Sequence, residues 1–272
     1  MSKIILITGA SRGFGKLWAK ALLERGDKVA ATARNTEDLS DLVAEFGNAV
    51  FPVELDVNNR EACFAAVEKT KTQFGRIDVV INNAGFGLFG AIEETTEKQA
   101  RDQMETNFFG LLWVTQAVLP VMREQRNGHI IQVSSFLGLV SLPVLGLYNA
   151  SKYAVNGLSE TLASEVKDFG IKVSLIEPNG FSTDWAGASA FQTEPNEAYA
   201  PVKKAFFENA IPDSWGKPES TAGAVLQLID SENPPLHFLL GKVAYPAVKQ
   251  VYHQRLNEFE TWKEISAQAH GH

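Results

Sequence analysis

Tyr148, Ser151 and Lys152 fall within the stretch Tyr148-Asn149-Ala150-Ser151-Lys152, and Ser135 precedes the tyrosine by thirteen residues. On a helix, residues i and i+4 share a face, so the phenol and the ammonium become neighbours. A cation beside a phenol favours phenolate and lowers its pKa from the ordinary ~10. Such a phenol can give or take a proton near neutral pH, as a general acid or base must. The same spacing also arises when a surface Tyr and Lys stand one turn apart, so the elements around the pair decide its meaning.

Those elements are legible in the apolar pattern. Short runs at Ile4–Thr8, Lys28–Ala33, Val50–Glu54, Val79–Asn82, His129–Ser134, Lys172–Glu177 and His237–Leu240 read as strands. Most are continuously apolar, the mark of strands covered on both faces. Between them lie helical patterns near Phe14–Arg25, Thr36–Phe46, Asn58–Phe74, Thr96–Gln125 and Leu147–Phe169, with later ones near Glu219–Ile229 and Tyr245–Trp262. Repeated β-α units predict an α/β, doubly wound parallel sheet of about seven strands with helices on both faces. Gly26, Gly47, Gly75, Gly128 and Gly170 follow helical stretches, where glycine commonly closes a helix.

Composition narrows the function. The 272 residues, 45% of them hydrophobic, suffice for a single large domain. The 25 basic and 32 acidic residues give a net charge of −7, and no basic run appears, which disfavours nucleic acid and anionic membrane as partners. The single cysteine, Cys63, lies in an apolar helical pattern and reads as a buried structural thiol. The five histidines are scattered without metal-ligand spacing, so no metal is expected. A strand-like run starting at Lys3 leaves no room for a signal peptide, and the longest apolar stretch, Phe108–Leu119, is too short to span a bilayer. A cytoplasmic protein is expected.

The first strand runs into Thr8-Gly9-Ala10-Ser11-Arg12-Gly13-Phe14-Gly15. Glycines between a strand and a helix let backbone amides approach a diphosphate, and the helix N-terminus adds a favourable dipole. The spacing is G-x-x-x-G-x-G, not the commoner G-x-G-x-x-G. Arg34 ends the second strand where an acidic residue would hold the ribose hydroxyl of NAD, and Arg12 is a second cation in the loop. Guanidinium groups suit a 2′-phosphate, which points to NADP(H), unless both arginines are ordinary solvated side chains.

With glycine loop and Tyr148/Lys152 pair together, the chain resembles the short-chain dehydrogenase/reductase family. The resemblance runs through residues 3–183 in motif order and implies a Rossmann-type fold. It implies that Asp56-Val57 contacts adenine and that Asn83, Ala84 and Gly85 of Asn82-Asn83-Ala84-Gly85 wall the cofactor. It further implies that Ser135, Tyr148, Lys152 and Asn107 form a catalytic tetrad. Pro178 and Thr183 correspond to a segment that reaches the nicotinamide, and Asn179 stands where the family usually has glycine, a turn that Asn serves by tolerating positive φ. The implied roles are a proton from Tyr148, a hydrogen bond from Ser135, pKa lowering and ribose binding by Lys152, and an Asn107-held water that links Lys152 to solvent.

Pocket candidates follow these motifs: Phe86, Leu88, Phe136, Leu137, Leu142, Val144, Leu145, Phe181 and Trp185. They are apolar and include no cation, which favours a neutral, hydrophobic ketone, aldehyde or secondary alcohol as substrate. Residues 184–216, aromatic yet broken by prolines, read either as a segment covering that site or as a helical insertion packing locally. A helical extension at about 243–265 carries no chemical motif. Family members often pair through their long helices, which implies a homodimer or homotetramer. Carbonyl reduction with NADPH is the expected activity. Alcohol oxidation and a silent cofactor-binding sensor are its rivals, and the intact tetrad favours catalysis.

Overall fold

The computed structural model describes residues 2–183, 185, 190–208 and 215–271. Seven parallel strands form its centre: β1 (Ile4–Ile7), β2 (Lys28–Ala33), β3 (Val50–Glu54), β4 (Val79–Asn82), β6 (Gly128–Val133), β7 (Ile171–Pro178) and β9 (His237–Leu240). Their order is β3-β2-β1-β4-β6-β7-β9. Strand order reverses between β1 and β4, where a crevice opens beyond the strand C-termini. All the strands expected from the apolar runs are present within a residue at each end.

Alternation along each strand fills two cores. Ile5 and Ile7 face one layer with Trp18 and Leu22 of α1 (Gly13–Glu24), Leu42 of α2 (Ser40–Phe46) and Leu228 of α8 (Ala222–Asp230). Leu6 faces the other with Val67 of α3 (Arg60–Phe74), Val118 and Met122 of α5 (Leu111–Gln125) and Leu162 of α6 (Gly146–Val166). Trp18 is fully buried, and its indole Nε1 donates to Thr221 Oγ1 at 2.8 Å, so the ring brings no unpaired polar group into the core.

Three local expectations are corrected. The helix expected over Thr96–Gln125 is divided: α4 (Glu97–Met104) passes through a π-helical turn at Glu105–Gly110 into α5. Gly110 ends that turn against Val57, where a Cβ would lie 2.7 Å from Val57 Cγ2. Gly128 does not close α5: Arg126 takes the left-handed position at φ 57, and Gly128 opens β6 against Met122. Asn179 is not at positive φ. Its Oδ1 instead accepts from Val243 N at 3.4 Å, beside Gly241, where a Cβ would collide with that oxygen.

The chain after β7 contains a short strand and a helix. A two-stranded parallel sheet joins β5 (Leu88–Phe89) to β8 (Phe191–Gln192), followed by α7 (Ala200–Glu208). Asp184 and residues 186–189 and 209–214 of the expected covering segment lie outside the described residues. The terminal helix α9 (Ala244–Gln268) is longer than the 3.6-residue pattern suggests. Arg255 pins its middle by donating to Leu139 O at 3.0 Å and Tyr153 Oη at 2.6 Å, while Leu256, Phe259, Trp262 and Ile265 stand exposed beyond. Among the described residues, no helix is long and apolar enough to cross a membrane.

Candidate active site

The C-terminal ends of β1, β4, β6 and β7 meet at the crevice. Thr8 Oγ1, at the end of β1, accepts from the backbone N–H groups of Asn83 and Ala84, each at 3.0 Å. Asn83 Nδ2 returns bonds to Thr8 O and Gly9 O, also at 3.0 Å. The glycine loop is thereby tied to the strand across the switch point. Gly15 is obligatory in this packing, because a Cβ would lie 2.2 Å from Gly9 O.

The loop has the features an anionic dinucleotide needs. Gly9 and Gly13 sit at φ 67 and φ 54, and a Cβ on Gly13 would meet nothing within 4 Å. Arg12 precedes α1 in extended conformation, with no side chain capping the first-turn N–H groups. An uncapped helix N-terminus behind an open glycine backbone suits a phosphate. Arg12 and Arg34 are exposed and form no ion pair among the described residues. Nearby Lys16, by contrast, is paired with Asp41 at 2.6 Å. Ser11 lies half-buried in the loop. Phe14 turns inward, stacking on Trp18 at 4.9 Å. Asp56 Oδ1 accepts from Asn58 N at 3.0 Å and shapes the turn after β3, while Val57 presses on Gly110. These residues fit a nicotinamide dinucleotide along the strand ends.

Ser135 follows β6 in extended conformation, and its Oγ accepts from Leu137 N at 3.1 Å. The same hydroxyl donates to Pro178 O at 3.4 Å, so the ends of β6 and β7 share it. Tyr148 and Lys152 occupy one face of α6 and are 6% and 5% exposed. Lys152 Nζ donates to Val133 O at 2.8 Å and lies 5.6 Å from the Tyr148 ring centroid. Asn107 sits in the π-helical turn, where such widened turns often mark functional sites. Its Nδ2 donates to Phe86 O at 3.0 Å and Ser151 Oγ at 3.2 Å, and its Oδ1 accepts from Phe86 N at 3.0 Å. Both amide donors are therefore spent on the protein, and any water contact left to this side chain is through Oδ1.

Burial, not Lys152, dominates the Tyr148 phenol. Its pKa is pushed up by loss of solvation, with a hydrogen bond to Ser135 pulling the other way. Lys152 Nζ meanwhile is engaged by the Val133 carbonyl, and apolar groups wall the phenol. Lys152 is itself lowered to about 8 by burial.

The wall around Tyr148 consists of Phe89, Leu137, Val140, Val144 and Leu145, with Phe136, Trp185 and Phe206 packed against it. Trp185 lies 4.8 Å from the Tyr148 ring and 5.4 Å from Phe89. Val144 stands at φ 69, a strained conformation for a β-branched residue, and its carbonyl accepts from Gly90 N at 2.7 Å. Three pocket expectations fail. Phe181 points into the core beneath α1, edge-on to Phe14 at 5.3 Å. Leu142 is exposed, contributing only a carbonyl to Asn149 Nδ2 at 2.9 Å. Leu88 lies in β5 one residue from Phe89, and strand alternation sends the two side chains to opposite faces, so Phe89 joins the wall. Phe86 stays at the mouth, edge-on to Phe191 at 4.9 Å. Thr183 Oγ1 accepts from Trp185 N at 3.4 Å. Val248 and Val251 of α9 also reach this wall, which no sequence motif announced.

A buried ammonium without a carboxylate partner has a measurable cost. Between its value of about 8 and the ordinary 10.5, the folded state binds fewer protons at Lys152 than the unfolded chain. Its contribution to stability therefore improves as pH rises through that window and is least favourable below pH 8. Lys152→Met is expected to raise the denaturation midpoint at pH 7 and to lose that advantage towards pH 10. Equal midpoint differences at both pH values, in denaturant titrations, would contradict this sign.

The sequence model described as short chain dehydrogenase matches residues 3–193. The oxidoreductase BOA17 of Botryotinia fuckeliana is 42% identical over 270 residues, covering 98% of each chain. A 3-ketodihydrosphingosine reductase of Bacteroides thetaiotaomicron is 40% identical over 243 residues, covering 88% of each. Among solved structures, a short-chain dehydrogenase from Streptomyces avermitilis superposes with TM-score 0.91 at 38% identity over 98% of both chains. An alcohol dehydrogenase from the archaeon Thermococcus sibiricus, complexed with 5-hydroxy-NADP, has TM-score 0.75 at 28% identity, covering 90% of this chain and 98% of that one. A short chain dehydrogenase/reductase from Burkholderia phymatum, in complex with NAD, has TM-score 0.81 at 25% identity, covering 96% and 95%. The chain belongs to the short-chain dehydrogenase/reductase family, oxidoreductases whose fold binds a nicotinamide cofactor.

Proposed function

We propose that this protein reduces a neutral, hydrophobic ketone or aldehyde with NADPH, using Tyr148 as the proton donor. The observation that carries this reading is a tyrosine set in an apolar wall, hydrogen-bonded to Ser135 and with the buried Lys152 ammonium 5.6 Å from its ring centroid. Reduction consumes the acid form of that group; oxidation would need its base form.

The cofactor, held by the glycine loop, Asn83 to Gly85 and Thr183, would supply hydride to the carbonyl carbon. As charge grows on the carbonyl oxygen, Tyr148 Oη gives it a proton and Ser135 Oγ donates a hydrogen bond to it. Lys152 remains an ammonium below its pKa of about 8, so it stabilises the phenolate left behind and serves as the proton source that restores it. Asn107 fixes the Phe86 backbone and Ser151, and Ser151 Oγ donates to Tyr148 O at 2.7 Å. That chain sets where α6 presents its tyrosine. Phe89, Leu137, Val144, Leu145 and Trp185 exclude water and offer a carboxylate no partner. The likeness to a 3-ketodihydrosphingosine reductase supports a ketone substrate. Arg12 and Arg34, exposed and free of ion pairs among the described residues, favour the 2′-phosphate of NADPH.

Tyr148→Phe is expected to lower kcat by about 10²- to 10⁴-fold on a responsive ketone while leaving NADPH affinity nearly unchanged. Near-wild-type turnover would remove Tyr148 as the donor. Tight NADPH binding with no consumption across a broad panel of hydrophobic ketones would remove the reductase reading itself. Arg34→Asp is expected to shift the ratio of kcat/KM for NADPH over NADH towards NADH by about tenfold or more. An unchanged ratio would take Arg34 out of cofactor selection.

A further inference from the structure

Glu94 is a carboxylate that the proposed reaction does not use, yet its side chain is only 1% exposed. It closes the turn after β5, where Oε2 accepts from the backbone N–H of Ala91 at 2.8 Å. Its remaining bonds all go to the segment that follows β7. Thr193 Oγ1 donates to Oε2 at 2.9 Å, Asn196 N donates to Oε1 at 2.7 Å, and Lys203 Nζ lies 2.6 Å from both oxygens. Lys203 belongs to α7, the helix that carries Phe206 to the Tyr148 wall. Neighbouring Glu93 takes a hydrogen bond from Tyr199 Oη. One carboxylate thus gathers a strand end, a turn and a helix of the covering segment.

The surrounding contacts show why this point controls the wall. Thr193 N donates to Phe89 O at 3.0 Å and Phe191 N to Gly87 O at 2.9 Å, so β8 is hemmed to β5. A Cβ on Gly90 would lie 2.0 Å from Thr193 Oγ1, and one on Gly87 would lie 2.6 Å from Trp185 Cζ2. Gly90 in turn donates to Val144 O, next to Leu145 and four residues before Ser135's partner Tyr148. Displacing Glu94 therefore frees α7 and the Phe206 it carries, while Ser135, Tyr148 and Lys152 stay anchored by β6 and α6. The cluster holds its charge at all ordinary pH values, since Lys203 and the converging N–H and hydroxyl donors pull Glu94 down to about 2.

We infer that Glu94, with Lys203, is a specificity-determining positioning residue: it clamps residues 191–208 so that Phe206 forms a fixed apolar wall for bulky ketones. The inference deepens the reductase reading and rests on it. It predicts a split by substrate size, because a small ketone can meet Tyr148 without reaching Phe206. A general weakening of the fold would not produce such a split.

The test compares wild type, Glu94→Gln and Lys203→Met, with NADPH and two ketones, a small methyl ketone and a bulky aryl ketone. KM for the bulky ketone is expected to rise about tenfold in both variants. kcat, KM for the small ketone and NADPH affinity are expected to stay within about twofold. The double variant should be no worse than either single one, as two ends of one contact require. Amide hydrogen exchange without substrate should accelerate across residues 191–208 and remain unchanged in β6 and α6. Equal KM changes for both ketones, a loss confined to kcat, or unaltered exchange across 191–208 would each overturn the inference. If Glu94→Gln fails to fold, Lys203→Met, altering a surface-side group, decides alone. If wild type reduces neither ketone, the reductase reading fails, and the exchange comparison still decides whether Glu94 clamps the segment.

Discussion

A buried ammonium with no carboxylate beside it constrains everything around the crevice. Lys152 is held inside by a single carbonyl, that of Val133, and it forms no ion pair among the described residues. Desolvation of an unpaired charge is costly, and the protein tolerates it only where surrounding groups over-determine the position. Val133 ends β6, so the same bond that satisfies the lysine joins the sheet to α6. Behind it, Ser134 Oγ donates to Asn156 Oδ1 at 2.5 Å, and Asn156 Nδ2 donates to the buried Glu177 at 2.7 Å. These bonds lock α6 to β6 and β7 beneath the tyrosine. The position of Tyr148 is thus an outcome of sheet geometry, not of a flexible loop.

The other half of the crevice follows from close backbone approach. Parallel strands bring β1 and β4 side by side, and Thr8 and Asn83 exchange bonds across the point where strand order reverses. Only glycine at position 15 leaves space for Gly9 and Asn83. That packing leaves the first turn of α1 uncapped and facing the crevice. A dinucleotide laid there would bring its reactive end towards Ser135 and Tyr148, since both stand at the C-terminal edge of the same sheet.

Much of this was legible in the chain. Buried parallel strands are continuous apolar runs, so their positions along the chain are easily located, and Ser135 lies next to a strand end while Tyr148 and Lys152 share one helical face. What escaped has physical reasons. Phe89 and Leu88 differ by one step of strand alternation, and β5 is too short to show a period. Phe181 resembles a pocket residue by position, but Phe14 and Trp18 offer it a core site. The π-helical turn at Asn107 leaves no mark in the 3.6-residue apolar pattern. Glu94 carries no mark in the sequence, because its partners Thr193, Asn196 and Lys203 lie about a hundred residues away. The burial of Tyr148, which raises its pKa, could not be read from an i, i+4 lysine, because it depends on Leu137, Val144 and Trp185 from other elements.

The central claim is a hydride delivered to a carbonyl carbon while Tyr148 protonates its oxygen. NADPH carrying deuterium at the transferable C4 position, incubated with a hydrophobic ketone and this protein, tests it most directly. Mass spectrometry of the product should place one deuterium on the carbinol carbon, with alcohol formed in proportion to NADPH consumed. NADPH consumption with no deuterium on that carbon would contradict it.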